Sequence, residues 1–250
     1  MTTLELDLIN AFDVHSVEEI RSVLDAGLDP RIPIEGKTPL NRLTEAYLRT
    51  DQFPQCVQLL LDHGAEPDDP AILPVLLNDA ERLASAIQAD SSLLTHRTSM
   101  ISSFTSLLDV TLLHVAAEYG HLNAARVLIE MGADVNATAG LTVHGINGHT
   151  PIFHTVNSWK NRSEPIMRLL LESGAKADIR VAGLDWGRGN DWATTFFDVT
   201  PISYCQMGLM PQVTRREEDI YGNIQLLIQA AGRPVPPMLN VPNHYLRPRG

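Results

Sequence analysis

The 250-residue sequence is poor in cysteine and has no long apolar run. Its two cysteines, Cys56 and Cys205, are too few for a disulfide framework, and both lie in apolar segments that are typical of buried thiols. No stretch is long and apolar enough to cross a bilayer, and the acidic start MTTLELDLINAFDV is unlike a signal peptide. We therefore expect a cytoplasmic protein that does not span a membrane.

Basic residues are also few, because 19 Lys and Arg stand against 30 Asp and Glu, for a net charge of −11. The excess is confined to residues 1–95, with 17 acidic and 6 basic side chains, whereas residues 96–250 hold 13 of each. An acidic surface repels phosphate backbones, so nucleic acid is not expected as a partner. The acidic half is interpreted as a solvated surface that aids solubility, or as one that steers a basic partner.

An internal repeat is the main feature that the sequence does contain, and it is clearest in DVTLLHVAAEYGHLNAARVLIEMGADVNA at 109–137. Weaker copies place Thr-Pro before an apolar run at Thr38 and Thr150, where Thr caps a helix and Pro occupies its first turn. Gly64 and Gly132 each follow such a run, at the position where a helix ends in a left-handed residue. A unit of two short helices buries its apolar face only against neighbouring units, so the repeats predict a stack.

The unit at 109–137 closely resembles an ankyrin repeat, with TLLHVAA for T-P-L-H-x-A-A and with GADVNA at its end. The resemblance implies an all-α fold, an ankyrin-repeat solenoid of stacked helix-turn-helix modules with short hairpin connections. It covers most of residues 1–232, and the Pro-rich tail 233–250 is expected to cap the last module, to be a free end or to be a short recognition motif. Six units, several of them degenerate, are predicted near 4–30, 38–69, 70–95, 109–137, 150–180 and 200–231.

Other motifs that carry chemistry are incomplete. GKT at 36–38 lacks the earlier glycine of a phosphate-binding loop. His144, His149 and His154 are spaced by five without a zinc motif, and they are interpreted as surface and turn histidines. Paired carboxylates are present without a nucleophile motif such as GxSxG. The sequence therefore predicts no metal, no cofactor and no catalysis.

The spacing of the units identifies an insertion. Thr150 and Thr200 are 50 residues apart, against about 33 for an ankyrin period. The surplus is the aromatic stretch GLDWGRGNDWATTFF at 183–197. Insertions in a solenoid fall in loops, often on the binding face. We expect this stretch to project as a finger beside the concave groove that the resemblance implies.

Two roles are open for the finger, which either caps the last module or binds a partner. Phe196 and Phe197 adjoin a helix start, so both are expected to pack. Trp186, Arg188 and Trp192 flank flexible glycines and are expected to be exposed. Trp and Arg contribute strongly to interface energetics, so the exposed residues would serve as anchors.

The predicted function is a non-catalytic protein–protein interaction scaffold, a monomer that binds an unidentified protein through the concave groove and the finger. The resemblance implies recognition positions at the ends of the first helices of the modules. The candidate partner-binding residues are Trp186, Arg188, Asp191, Trp192, Glu118, Tyr119, Asn157 and Ser158. Two alternatives stay open: an enzyme or small-ligand binder with a site between the 183–197 finger and the 208–222 insertion, and a protein that assembles with itself through the finger.

Overall fold

The computed structural model describes residues 1–156, 158–187, 193–207 and 216–236, which form mainly short helices. Within these ranges the α-helices are α1 Thr3–Val14, α2 Val17–Asp25, α3 Pro39–Glu45, α4 Phe53–Asp62, α5 Leu73–Leu76, α6 Ala80–Ala89, α7 Leu112–Tyr119, α8 Leu122–Glu130, α9 Glu164–Glu172, α10 Pro201–Met207 and α11 Glu217–Ala230. The 3-10 helices are Pro70–Ile72, Ser91–Leu94, Pro151–His154 and Trp159–Asn161. The strands are β1 Arg97–Met100, β2 Leu107–Thr111, β3 Val181–Trp186 and β4 Thr194–Val199.

Helix starts and ends follow the capping residues of the sequence. Thr38 precedes α3, its hydroxyl accepts a hydrogen bond from the amide of Asn41, and Pro39 occupies the first turn. Gly64 and Gly132 follow α4 and α8 with φ of 92° and 103°, a conformation that side chains disfavour. The helix start at Thr38 and both glycine exits are therefore confirmed.

The helices are arranged as pairs that stack in chain order. α1 packs against α2, α3 against α4, α5 against α6, α7 against α8, and α10 against α11. First helices of successive pairs also touch, as α1 touches α3, α5 touches α7, and the 3-10 helix Pro151–His154 touches both α7 and α10. The second helices behave likewise, because α2 contacts α4, and α8 contacts both α6 and α9. Each pair therefore buries its apolar face against its neighbours.

The degenerate unit at 70–95 is part of this stack. Ile72, Leu76, Leu83 and Ile87 are buried, and Leu73 is half-buried. Its helix α5 packs on α7, and its helix α6 packs on α8. The helical spacing of its apolar residues thus gives one buried face even though the ankyrin motif is degenerate.

Strands enter the fold where the chain passes between helix pairs. β1 pairs with β2 and β3 pairs with β4, both antiparallel, and within the described ranges each sheet has two strands. The helix-turn-helix units agree with the predicted class, but an all-α fold is confirmed only in part. The reason is length, because the insertions at 97–111 and 181–199 are long enough for their chains to pair as strands.

Cys56 and Cys205 are both buried and neither forms a disulfide bond, as their apolar segments predicted. Burial raises the pKa of the Cys56 thiol to about 11, so this thiol is protonated at neutral pH.

Across the part of the chain that the structure describes, no helix combines the length and the apolar character that crossing a bilayer requires.

Candidate functional site

The predicted finger contains a β-hairpin. β3 and β4 pair from Val181 opposite Val199 to Trp186 opposite Thr194. The candidate residues Arg188, Asp191 and Trp192 lie outside the described residues. Trp186 is described; it is half-buried and packs against the core. Its side chain is therefore less exposed than the sequence predicted, and its backbone lies between Thr194 on one side and Thr105 on the other.

Phe196 and Phe197 were both expected to pack, and the expectation is wrong for Phe197. Phe196 is half-buried and its ring lies 6.1 Å from that of Tyr204, measured between centroids. Phe197 is 75% exposed. Successive side chains on a strand point to opposite faces, so two adjacent phenylalanines on β4 cannot both face the last helix pair.

Ser158 and Asn157 were predicted as recognition positions of the fifth unit. Asn157 lies outside the described residues. Ser158 is half-buried, and its hydroxyl accepts a hydrogen bond from the amide of Ser163 at 3.1 Å, just before α9. Ser158 therefore helps to shape the turn that leads into α9.

Glu118 and Tyr119 were predicted to face a partner, and the structure corrects this, because only 5% of Glu118 and 2% of Tyr119 are exposed. The Tyr119 hydroxyl donates a hydrogen bond to the carbonyl of Thr44 at 2.7 Å, and burial raises the pKa of this phenol to about 12. The Arg49 guanidinium lies 4.5 Å from the centre of the Tyr119 ring. Glu118 and Tyr119 both lie on α7, and the Glu118 carboxylate contacts another segment of the chain.

That segment is Ile101–Ser106, the connection between β1 and β2, which we call the strap. Ser102 Oγ donates to Glu118 Oε1 at 2.6 Å, and Ser103 Oγ donates to the carbonyl of Glu45 at 2.5 Å. Thr105 Oγ1 lies 2.9 Å from the Tyr204 hydroxyl. The strap thus spans a surface formed by the ends of α3 and α7 and by α10, which we call the first-helix face.

The strap also joins the second hairpin through its main chain. The amide of Gly187 donates to the carbonyl of Phe104 at 2.8 Å, and the amide of Ser106 donates to the carbonyl of Asp185 at 3.2 Å. Thr105 pairs with Trp186 as an antiparallel bridge. The strap therefore runs along the free edge of β3 and pairs with it through this one bridge.

A chain of buried polar groups runs from the strap into the next helix pair. Glu118 Oε2 accepts a hydrogen bond from His154 Nδ1 at 2.7 Å, and His154 Nε2 lies 3.1 Å from His149 Nε2. His114 Nε2 donates to the His149 carbonyl at 3.2 Å. Burial, with the neighbouring His154, lowers the pKa values of His114 and His149 well below their ordinary range.

The histidine cluster corrects one interpretation of the sequence. His144 is exposed, as expected for a turn, but His149 and His154 are buried. Their role here is to tie modules together by hydrogen bonds. Across the described ranges, no group of three or more His, Cys, Asp and Glu side chains has a geometry that could hold a metal ion.

Exposed apolar side chains recur on the connections between helix pairs. They have exposed fractions between 44% and 97%, and they include Ile32, Ile101, Leu141, Val143 and Phe197. We call this set the hairpin row. Its members Leu141 and Val143 were missed by sequence reasoning, although they lie in the turn GLTVHGING between glycines, where burial is not expected.

A cavity of about 450 Å³ lies between α3, the Pro70–Ile72 turn and β1. Its floor is apolar, with Leu40, Ile72 and Leu76. The acidic groups on its rim already have partners, because Asp68 accepts from Asn41 at 2.9 Å and Asp69 Oδ2 lies 2.7 Å from His96 Nε2. The alternative ligand site between 183–197 and 208–222 falls largely on residues 188–192 and 208–215, outside the described residues.

Comparison with known proteins agrees with the helical repeats. A family model of ankyrin repeats, in three copies, matches residues 92–182. Cyclin-dependent kinase 4 inhibitor B of Bos taurus is 32% identical to this chain over 139 residues, which are 54% of this chain and 94% of that protein. The boundaries of the six units, and the separate tail at 233–250, stay predictions.

Proposed function

The chain belongs to the ankyrin repeat proteins, and on that premise we propose that it is a non-catalytic scaffold that binds a protein partner. Membership of this family supports a role in protein–protein interaction. The proposed binding surface combines the hairpin row, the finger at 183–197 and the first-helix face, and we propose that the first-helix face is the concave groove that the resemblance implies. We also propose a cytoplasmic location.

The observation that carries this proposal is the hairpin row. Large apolar side chains are costly to leave in water, and several connections of this chain each expose at least one of them. Phe197 is the strongest anchor candidate among them because it is aromatic and 75% exposed. The finger residues Arg188, Asp191 and Trp192 stay candidates for the same contact.

A protein kinase is the first partner class to test. The relative from Bos taurus is named as an inhibitor of cyclin-dependent kinase 4, and the likeness extends over most of that protein. We propose that this chain also presents its repeats to a folded protein domain. Purified cyclin-dependent kinase 4 is therefore the first protein to test for binding, and other purified kinase domains are tested next for the same reason.

The experiment measures capture from the native cell extract and direct binding to the purified kinase. One variant removes part of the hairpin row by Leu141→Ser, Val143→Ser and Phe197→Ser. Its matched control, Leu6→Ser with Val14→Ser, removes exposed apolar side chains from α1. We expect the row variant to lose at least about thirtyfold in affinity, because the loss of a single anchor already weakens binding by roughly 2 kcal/mol, while the control binds like the unchanged protein.

Equal binding by both variants would reject the hairpin row as the contact surface. Binding to a small molecule with turnover, and to no protein, would instead favour the enzyme alternative. Circular dichroism of both variants checks that the substitutions leave the helical stack intact.

A further inference from the structure

The strap is a surface connection whose side chains are nearly all withdrawn from water. Ser102, Ser103, Phe104, Thr105 and Ser106 each have at most 9% of their surface exposed. Loops normally stay at the surface, because buried polar groups need hydrogen-bond partners. The strap satisfies that need only by contacting distant parts of the chain, so its burial has to be explained by what lies beneath it.

The partners of the strap belong to three separate helix pairs. Ser102 reaches Glu118 on α7, Ser103 reaches the carbonyl of Glu45 at the end of α3, and Thr105 reaches Tyr204 on α10. A connection between β1 and β2 needs none of these contacts to close the hairpin. The surface under the strap is therefore organised to hold an extended segment along its length.

The aromatic residue of the strap has a defined seat as well. The Phe104 ring lies 4.8 Å from that of Tyr47, measured between centroids, and the Arg49 guanidinium lies 5.6 Å from the Phe104 ring centre. Arg49 is itself 3% exposed and donates to the carbonyls of Thr44, Ala46 and Leu48. Its position is fixed by those carbonyls, so the seat for an aromatic ring does not depend on Phe104 alone.

The main chain of the strap is held as a peptide is held in β-augmentation. Two backbone hydrogen bonds connect it to the β3 edge, at the carbonyl of Phe104 and the amide of Ser106. In this binding mode the sheet edge gives affinity, and the seats for successive side chains give specificity. Here the seats accept a hydroxyl, a second hydroxyl, an aromatic ring and a third hydroxyl, in the order Ser102 to Thr105.

We propose that this surface is a binding site for an extended protein segment with the side-chain order hydroxyl, hydroxyl, aromatic, hydroxyl, and that the strap occupies it in cis. The proposal rests on the proposed function, because it specifies what the first-helix face takes from a protein partner. It also explains why Glu118 is buried, since its carboxylate accepts a hydrogen bond from the strap. A partner segment binds by displacing the strap from the β3 edge and from Glu118.

The tether gives the strap a large advantage over a free segment. A short connection holds its residues at an effective concentration of about millimolar. A free peptide with the same sequence therefore competes poorly with the intact strap. It binds readily once the strap has lost the side chains that fill the seats.

The experiment uses the full chain and a labelled peptide with the sequence of residues 99–108, SMISSFTSLL. The opened variant carries Ser102→Gly, Ser103→Gly, Phe104→Gly and Thr105→Gly. Fluorescence anisotropy measures its affinity for this peptide and for a control peptide with Phe104→Ala and Thr105→Ala. We expect the opened variant to bind the first peptide at least about tenfold more tightly than the unchanged protein binds it, and about tenfold more tightly than it binds the control peptide.

Two further substitutions in the opened variant assign the seats. Glu118→Gln replaces the carboxylate that accepts the hydrogen bond from the Ser102 hydroxyl. Tyr204→Phe removes the hydroxyl that lies within hydrogen-bond distance of Thr105. Each is expected to weaken peptide binding severalfold. An opened variant that is folded by circular dichroism and binds both peptides alike, or neither, would overturn the proposal.

Hydrogen exchange on the unchanged protein keeps the proposal testable if the opened variant does not fold. We expect the amides of Phe104 and Ser106 to exchange through a local opening, faster than those in the middle of α7. Exchange of the strap only at the rate of global unfolding would mean that it is a fixed part of the core, and would overturn the proposal. Neither assay uses the natural partner, so failure of the hairpin row leaves these results unaffected.

Discussion

The two β-hairpins of this protein both lie between helix pairs, but they differ in which residues they bury. The first buries polar side chains, and the second leaves a large apolar side chain exposed. The first, β1–β2, turns the hydroxyl-rich strap inward until Ser102 and Thr105 are 2% and 1% exposed. The second, β3–β4, buries Leu184 completely and leaves Phe197 75% exposed. From residue type alone, the Ser and Thr side chains would be expected to be exposed and Phe197 to be buried.

The difference shows that the burial of a side chain in these two hairpins depends on the groups of the same chain that it contacts. The strap hydroxyls are buried because a carboxylate, a helix-end carbonyl and a phenol are placed to bond with them. Phe197 is exposed because the pleat of β4 gives the inward position to its neighbour Phe196. The strap of the first hairpin is thus held by three polar contacts together with the packed Phe104 ring, and the second hairpin by one apolar face. The following predictions test that contrast.

The largest effect is expected in the helix pair that precedes the first hairpin. Leu83→Asp places a charge in a fully buried position of α6, so we expect the free energy of unfolding to fall by about 4 kcal/mol or more. Ser85→Asp adds the same charge at an exposed position of α6 and should change it by less than about 0.5 kcal/mol. Urea denaturation of the two variants measures both. Similar stability would mean that the first hairpin does not rest on a stacked helix pair.

A smaller loss is expected when the strap loses its aromatic ring. Phe104→Ala removes a side chain that is 7% exposed and packs on Tyr47 and Arg49, so it should cost about 3 kcal/mol. Ile101→Ala, in the same strap but 44% exposed, is the control and should cost under about 1 kcal/mol. If thermal unfolding places the two variants at the same stability, the strap is not seated on the first-helix face as described.

The sequence predicts the helical modules better than it predicts either hairpin. Thr38 and the glycine exits act locally, so their consequences can be deduced from a few neighbouring residues. The surplus of residues between Thr150 and Thr200 locates an insertion by counting, and the pleat of a strand would have separated Phe196 from Phe197. A strand was not assigned there because the glycines and aspartates around Trp186 indicate an irregular loop.

The burial of the strap could not be deduced in the same way. ISSFTS has neither helical nor alternating periodicity, and its partners Glu45 and Tyr204 lie 58 and 99 residues from the residues that they contact. Such contacts depend on how helix pairs meet in three dimensions. For the same reason Glu118 and Tyr119 were assigned to an exposed surface, since the repeat motif describes α7 without the chain that covers it.

Acid is expected to lower the stability of the fold through His121, which lies at the start of α8 and contacts α5. His121 is 3% exposed, its Nδ1 donates a hydrogen bond to the Val75 carbonyl at 2.7 Å, and the centre of its ring lies 5.9 Å from that of Tyr119. Burial lowers the pKa of His121 to about 4, below the value of about 6.5 in the unfolded chain. The unfolded state therefore binds more protons between these values, so stability is full above pH 6.5 and falls as the pH is lowered towards 4.

His121→Gln measures this contribution. Between pH 7.5 and pH 4.5 the unchanged protein should lose roughly 2.5 kcal/mol more stability than the variant, because the variant has no imidazole at this position to protonate. His144→Gln, at an exposed position, should keep the pH dependence of the unchanged protein. Denaturant unfolding at pH 7.5 and pH 4.5 measures the free energy of unfolding of each protein. Equal pH dependence in all three proteins would contradict the prediction and would mean that His121 is already protonated or is accessible to water in the folded state.

The smallest effect on stability is expected at Phe197, and it makes the sharpest test of the second hairpin. Phe197→Ala should change the free energy of unfolding by less than about 0.5 kcal/mol, because its side chain is mostly in water already. Phe196→Ala, one residue away on the packed face of β4, should cost roughly 2 kcal/mol.

Partner binding should reverse that order, since Phe197 is the proposed anchor and Phe196 only supports the strand that presents it. We expect Phe197→Ala to weaken binding by roughly 2 kcal/mol, which is about thirtyfold, and folded Phe196→Ala to weaken it less. Calorimetric melting and binding to the captured partner, measured on the same preparations, separate the two roles. If Phe197→Ala lowered stability and left binding unchanged, the second hairpin would be a cap on α10, and the partner would have to be bound by the other members of the hairpin row or by the surface under the strap.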